Sequence, residues 1–400
     1  MELISWSTAI AFLVALPIYW WLPAEKRGPF LCVYGLVYFL ASQPQAGLIA
    51  LLFLWVSLYF QRLILTAQTD RGKKWVLFFG VVIALAPMIF YKYRFSLLGH
   101  IPFLAWMAAL PLAAPVGISY FTFRAVHVLV ETRRGAIERL SGIDFFYYIT
   151  FLPTVVAGPI ERFGPFREQR AAAATFSPDL FGEGLQRILI GLVKKLVLAD
   201  MFYGFISDFM NPVTTLTLRP WQIWLCLHGY YAYLYMDFSG YSDIAIGVSR
   251  LFGSRIMENF NWPILATNIR EFWRRWHISL TSWLTDYVYF ALGGNKKGKI
   301  RAEINTMITM LIIAFWHGSN QIGHYFIWGI WLGLGLVVFR QWTRAKERLF
   351  PNLVANPTLV GKVVGAFMTI QFMNLSWPIF LFDTRIAILT YLKMFGLVGR

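Results

Sequence analysis

Long stretches of this chain contain no Asp, Glu, Lys or Arg, and they limit its possible folds more than any other feature. They run from Gly28 to Gln61, Trp75 to Tyr91, Phe95 to Phe123, Pro220 to Met236, Ile304 to Phe339 and Val363 to Phe382. A helix needs about 20 mostly apolar residues to cross a bilayer, so several runs hold one span and the longest has room for two. Only 14% of the 400 residues are charged and 58% are hydrophobic, with a mean hydropathy of +0.56. A water-soluble domain carries about a quarter charged residues. The expected fold class is therefore all-α and polytopic. One integral-membrane domain is expected over residues 1–400, because no repeat, low-complexity tract or long linker divides it.

The net charge of +16 does not point to nucleic acid, because the basic residues gather in short loops. Arg71/Lys73/Lys74, Arg133/Arg134/Arg139, Lys296/Lys297/Lys299/Arg301 and Arg340/Arg344/Lys346/Arg348 are the main groups. This is the positive-inside bias, which orients spans and favours anionic headgroups. The bilayer is the expected partner. Cys32 and Cys226 lie in apolar runs without paired spacing, which supports neither a disulfide framework nor a cysteine metal site. The start, Met-Glu-Leu-Ile-Ser-Trp, lacks a basic n-region and reads as the lead-in to a retained span.

Spans are expected near 6–22, 29–42, 47–65, 75–91, 101–114, 185–203, 221–237, 304–317, 323–340 and 360–382, with a further one at 386–397. Pro102, Pro111, Pro115 and Gly117 should break the stretch 101–130. Phe145 to Pro165 holds Pro153, Gly158, Pro159 and Gly164 in apolar surroundings. Irregular backbone at membrane depth persists only where protein or water satisfies it, so a re-entrant or buried loop beside a cavity is expected there.

Two short segments carry chemistry. Glu271-Phe-Trp-Arg-Arg-Trp-His277 and Phe315-Trp-His317-Gly318 place histidines among tryptophans in lipid-soluble surroundings. Trp273, Trp276, Leu280, Trp283 and Tyr287 recur at steps of three and four, which predicts an amphipathic helix over 268–290. His277 falls at the edge of its apolar stripe. It either assists His317 or is a helix-edge histidine bonded to water or a headgroup. His317 closes an uncharged run. Ionisable groups in a membrane usually face a cavity or partner, and an imidazole with a reference pKa near 6.5 suits a general base. The competing reading is a lone histidine satisfied by a carbonyl.

His324 lies seven residues after His317, but Gly318 and Gly323 intervene, and no HExxH-like spacing supports a metal. His100, His127 and His228 are expected to pack or sit at interfaces. In Tyr233-Leu-Tyr-Met-Asp237-Phe-Ser-Gly240-Tyr-Ser-Asp243, two carboxylates mark a polar break in a span. They form either a cavity wall or a helix terminus, with Asp243 or Ser242 capping a helix that starts at Ile244. No GxSxG elbow, P-loop or Rossmann glycine pattern occurs.

Seven segments, in order over about 110–335, resemble the membrane-bound O-acyltransferase family in its bacterial cell-envelope branch. They are Pro115-Val-Gly-Ile-Ser-Tyr-Phe-Thr-Phe-Arg124, Val156-Ala-Gly-Pro-Ile-Glu-Arg162, Asp237-Phe-Ser-Gly-Tyr-Ser-Asp243, Glu258-Asn-Phe-Asn261, Glu271-Phe-Trp-Arg-Arg-Trp-His-Ile-Ser-Leu280, Leu292-Gly-Gly-Asn295 and Phe315-Trp-His-Gly318. The resemblance implies a bundle of about 10–11 spans, with interfacial helices and a re-entrant segment around a transmembrane tunnel. It makes His317 the catalytic base and His277 its companion, with Trp316, Trp273, Arg274, Asp243 and Asn268 as substrate contacts. No tightly bound cofactor and no metal are implied. The donor would be acetyl-CoA or an acylated carrier protein on the cytoplasmic side. The acceptor would be an envelope polysaccharide or a periplasmic transferase partner, and the location a bacterial inner membrane.

Phe-Trp-Arg-Arg-Trp-His-Ile-Ser-Leu and Leu-Gly-Gly-Asn look like the alginate and polysaccharide O-acetyltransferases. Ile118-Ser-Tyr-Phe-Thr-Phe-Arg-Ala-Val126 looks like the teichoic-acid D-alanyl-transfer proteins. From the residues alone, a transporter or flippase for acyl groups or glycans, and a scaffold for soluble partners, are the rivals.

Overall fold

A computed structural model describes residues 6–103, 105–110, 112–172, 175–318, 322–351 and 358–398. Among them the secondary structure is helical, without strands. Contacts group the chain into two compact units, residues 1–192 with 240–257, and residues 193–239 with 258–400.

The first unit starts with α1 (Trp6–Trp21), α2 (Ala24–Ser42), α3 (Pro44–Thr66) and α4 (Asp70–Leu98). Then come the short α5 (Ala105–Ala109) and α6 (Ile118–Arg134), so the stretch 101–130 is broken as its prolines predict. α7 (Gly142–Ile149) and α8 (Phe163–Ala172) flank a non-helical segment at 150–162, and α9 (Pro178–Val193) follows. Phe151, Thr154, Val155, Ile160 and Glu161 in that segment are buried. Its carbonyls are satisfied from within the protein. The buried Arg124 guanidinium donates to the backbone oxygens of Tyr148 (3.1 Å), Ile149 (3.3 Å), Thr154 (3.3 Å) and Pro159 (3.1 Å). Gly117 is left-handed at φ 81°, and a Cβ there would stand 2.2 Å from the Val155 oxygen. α9 meets residues 240–251 through glycines, since a Cβ on Gly184 would lie 2.9 Å from the Gly247 oxygen. Small residues permit such close helix approach in membranes.

The second unit begins with a π-turn at Lys194–Leu198, α10 (Ala199–Met210) and α11 (Pro212–Thr215). α12 (Pro220–Leu251) gives its first twenty residues to this unit. The short α13 (Ile269–Arg275) and α14 (Ile278–Leu284) precede α15 (Lys299–His317) and α16 (Ile322–Leu349). α17 (Leu359–Asn374), α18 (Trp377–Leu381) and α19 (Thr384–Met394) complete it.

Among the described residues, four segments combine the length and apolarity to cross a membrane: Pro44–Thr66, Asp70–Leu98, Ile322–Leu349 and Leu359–Leu381. The protein is a multi-pass membrane protein. The other expected spans fall on shorter helices, such as α1 and α19, or on more polar ones, such as α9 and α12.

Two sequence expectations are corrected. The predicted break near Asp237–Asp243 is absent, because α12 continues as one helix of 32 residues. Asp243 therefore caps nothing. The carboxylates are accommodated inside the helix by cations on the preceding segment: Arg187 Nε reaches Asp243 Oδ1 at 2.7 Å, and Lys195 pairs with Asp237. The predicted amphipathic helix over 268–290 is also interrupted. Trp276 is extended and His277 adopts φ 45°, ψ 53°, splitting it into α13, α14 and a π-turn at Thr285–Tyr289.

Candidate active site

Asn268 begins the build. Its Oδ1 accepts from the Glu271 amide at 2.9 Å and caps α13. Glu271 then accepts from the amide and hydroxyl of Thr267, at 2.9 and 2.8 Å, and from Arg275 at 2.8 and 3.0 Å. Glu271 and Arg275 thus lock the helix, which leaves Arg270 and Arg274 for another purpose.

α13 ends where Trp276 N bonds to the Phe272 oxygen at 2.8 Å, and His277 turns left-handed. A bulky residue in that region is strained and persists only where its surroundings over-determine it. Asn259 supplies the determination. Its backbone oxygen accepts from Ile278 N at 2.9 Å, and its Oδ1 accepts from the Ser279 hydroxyl at 2.9 Å. The turn moves His277 out of the helical-wheel position and into the interior. It is 2% exposed, not at the helix edge as the wheel predicts.

Around it stands a nest of rings. The His277 ring lies 4.7 Å from Phe238 and 5.7 Å from Trp316. Trp316 is in turn 4.6 Å from His317, which meets Trp328 at 5.6 Å and Phe380 at 5.8 Å. Tyr231 stacks on Trp276 at 5.8 Å, and Phe260 meets Trp276 edge-on at 5.2 Å. His277 Nε2 is buried with no hydrogen-bond partner among the described residues, as are Tyr231 Oη, Trp328 Nε1 and both amide atoms of Asn374. Buried polar atoms left open are costly. Burial first, and the charge of His317 second, hold the His277 imidazole well below the usual histidine range, so it is neutral. A neutral imidazole with an open nitrogen can accept a proton or a hydrogen bond. Among the described residues no cluster of three or more His, Cys, Asp or Glu could hold a metal ion.

His277, His317 and Trp316 come together in the second unit, while Trp273 and Arg274 line a cavity of about 640 Å³ whose lining, among the described residues, holds neither histidine. Asn268 is engaged as a helix cap, and Asp243 belongs to the first unit, paired with Arg187. His324 is buried against Tyr325, with 4.1 Å between ring centroids. Residues 319–321, between it and His317, lie outside the described set. Asn259, Asn374, Phe238 and Phe380 were not singled out as site residues from the sequence. Asn259 and Phe238 carried a signal, through Glu258-Asn-Phe-Asn261 and Asp237-Phe-Ser-Gly-Tyr-Ser-Asp243.

The class is a helical, multi-pass membrane protein that carries two imidazoles in contact with one indole. The chain belongs to the membrane-bound O-acyltransferase family, which it matches over residues 102–377. It is 37% identical over 287 residues to the probable alginate O-acetylase AlgI of Pseudomonas aeruginosa, covering 68% of this chain and 52% of that protein. It is 30% identical to the peptidoglycan O-acetyltransferase of Helicobacter pylori, covering 83% and 66% respectively. It is 31% identical to the teichoic acid D-alanyltransferase of Streptococcus thermophilus, covering 78% and 77%. The chain's matches span 44% to 66% of the length of its alginate and peptidoglycan relatives.

Proposed function

We propose that this protein is a membrane-bound O-acyltransferase of a bacterial inner membrane. It moves an acyl group, acetyl in the first instance, to hydroxyls of a cell-envelope or exported polysaccharide, directly or through a periplasmic transferase. The observation that carries this is the pair His277 and His317, both in ring contact with Trp316 and walled by further aromatic rings.

In this reading His317 takes the proton of the acceptor hydroxyl. The oxygen bonds to the acyl carbonyl carbon, the carbon–sulfur bond of a thioester breaks, and the protonated imidazole returns its proton to the departing thiolate. General-base assistance of this kind contributes roughly 10²–10⁴ in rate. His277, neutral and open at Nε2, orients the acceptor or the His317 ring. The surrounding rings keep out water, which would hydrolyse the donor. Trp316, Trp273 and Arg274 contact substrate, while Asn268 and Asp243 act through the elements they hold. The donor is acetyl-CoA or an acylated carrier protein, met on the cytoplasmic side. No tightly bound cofactor takes part.

D-alanyl transfer toward a teichoic-acid-like polymer is the second reading. It is favoured by one observation, that the match covers 77% of the Streptococcus thermophilus relative. Mass spectrometry of envelope polymers from cells with and without the protein identifies the ester that disappears. His317→Ala should abolish that ester while the protein still inserts. An ester that survives this substitution removes His317 from the chemistry.

A further inference from the structure

In the first unit, the start of α2, the segment between α6 and α7, α7 and α8 enclose another cavity, of about 480 Å³. That is the size of a small-molecule site, and its lining includes no histidine among the described residues. Its floor is fixed by internal pairs. The Arg170 guanidinium pairs with Asp144, lies over the Tyr147 ring at 5.6 Å and rests against Gly28. Ser141 caps α7 and donates its hydroxyl to Asp144 Oδ2 at 2.7 Å. Buried Tyr19, Tyr147, Phe163 and Phe166 complete the floor. Arg27 is engaged as well, since its Nε donates to the Leu22 oxygen at 3.0 Å and its guanidinium covers the Trp20 ring at 4.7 Å.

The rim differs from the floor. Exposed Glu25, Glu138, Arg139 and Arg167 line the cavity from three separate segments, and none of them forms an ion pair among the described residues. Two cations and two anions that share a cavity without neutralising one another suit a ligand that carries both signs. The depth of the mouth follows from charge. Arg133 pairs with Asp70, which joins the end of α6 to the start of α4. Those ends carry Arg71, Lys73, Lys74, Arg133 and Arg134, and the positive-inside bias puts them on the cytoplasmic face. Glu138 and Arg139 follow α6 directly, so the rim lies at the cytoplasmic leaflet. Trp21 and Ile143, close in sequence to lining residues, are exposed at 85% and 48%. An exposed tryptophan of this kind settles at headgroup depth.

We propose that this cavity seats the headgroup of an ethanolamine phospholipid, with its phosphate on Arg139 and Arg167 and its ammonium on Glu25 and Glu138. Guanidinium forks take phosphate oxygens bidentately, and the carboxylates complement the amine. A glycerol phosphate headgroup offers the same phosphate but nothing for the carboxylates, which would repel it. The site is independent of the histidine chemistry. A soluble phosphoethanolamine shares the headgroup's chemistry but lacks acyl chains to anchor it in the bilayer.

The test is native mass spectrometry of delipidated, detergent-purified protein, titrated with palmitoyl-oleoyl phosphatidylethanolamine and phosphatidylglycerol in equal amounts. Wild type should retain the ethanolamine lipid in preference, and that lipid alone should raise the melting temperature, because a ligand that binds only the folded state stabilises it. Arg139→Gln/Arg167→Gln should weaken retention of the ethanolamine lipid about fivefold, the effect of one or two exposed ion pairs. Glu25→Gln/Glu138→Gln should remove the preference, because phosphatidylglycerol then meets no opposing carboxylate. If the arginine pair fails to fold, the glutamate pair still decides. Wild type that holds both lipids equally overturns the proposal. So does a preference that survives the glutamate substitutions, or an ethanolamine lipid retained undiminished by the folded arginine variant. Soluble phosphoethanolamine that displaces the lipid at equal concentration overturns the assignment to a lipid.

Discussion

The imidazole of His277 leans on the indole of Trp316, with 5.7 Å between ring centroids and 57° between planes. Trp316 also contacts His317, so one side chain touches both imidazoles, one from the turn between α13 and α14 and one from the end of α15. Spacing within tenths of an ångström matters for proton transfer, because misplacement by about 1 Å can cost roughly 100-fold in rate.

Replacing that indole should therefore affect rate more than fold. Trp316→Phe keeps a ring against both histidines and should retain most activity. Trp316→Ala leaves a hole, and large aromatic truncations cost about 3–5 kcal/mol. The expected outcome is a loss of envelope ester in Trp316→Ala greater than its loss of folded protein, read by mass spectrometry beside a melting curve. Equal losses in both would make Trp316 a packing residue only.

The neutral state of His277 has a pH signature. Its folded pKa lies below its unfolded value, held there first by burial and second by the His317 charge. Below the unfolded value of about 6.5, the unfolded chain takes up a proton that the folded chain refuses. Stability is then fully present above that pH and falls as pH drops through it. His277→Gln, which cannot titrate, should flatten the decline in melting temperature between pH 7 and pH 5. Parallel declines in wild type and variant would assign the slope to other groups.

Asn259 fixes the left-handed turn at His277 through Ile278 N and the Ser279 hydroxyl. Asn259→Ala removes the Oδ1 acceptor and leaves Ser279 unpaired in the interior, a cost of about 1–3 kcal/mol. The turn should relax toward helix, carrying the imidazole away from Trp316. Activity should fall while helicity by circular dichroism stays constant. Asn259→Asp, which keeps the acceptor, should restore part of it. Failure of the conservative variant to outperform alanine would deny Asn259 its positioning role.

The membrane class and the two histidines were readable because they depend on short-range facts: runs without charge, and residue types inside those runs. The turn at His277 was not. Trp273, Trp276, Leu280 and Trp283 recur at helical spacing, and nothing local announces that Asn259, some eighteen residues earlier, would break the helix. Periodicity sees one segment, whereas the turn is made by two. The same limit hid Arg124, whose role is set by carbonyls 24 to 35 residues further on. Asp243 erred the other way. Its polar neighbours suggested a break in the span, but Arg187 supplies a countercharge from another helix, so the helix continues.

That countercharge gives the last prediction. Asp243 is buried, its side chain 5% exposed, and Arg187 is 28% exposed. Removing the carboxylate leaves a guanidinium partly buried without its ion pair, and breaking a buried pair costs about 3–5 kcal/mol when both groups are fully buried. Arg187 retains some access to water, so the loss should be smaller than that range. Asp243→Asn should lower the melting temperature of purified protein. Arg187→Gln should lower it too, and the double variant should do so by less than the sum, because each single change has already lost the same pair. If Asp243 instead met substrate, Asp243→Asn would raise KM at unchanged melting temperature and Arg187→Gln would not reproduce it. The two outcomes separate a carboxylate that holds α12 from one that holds an acceptor.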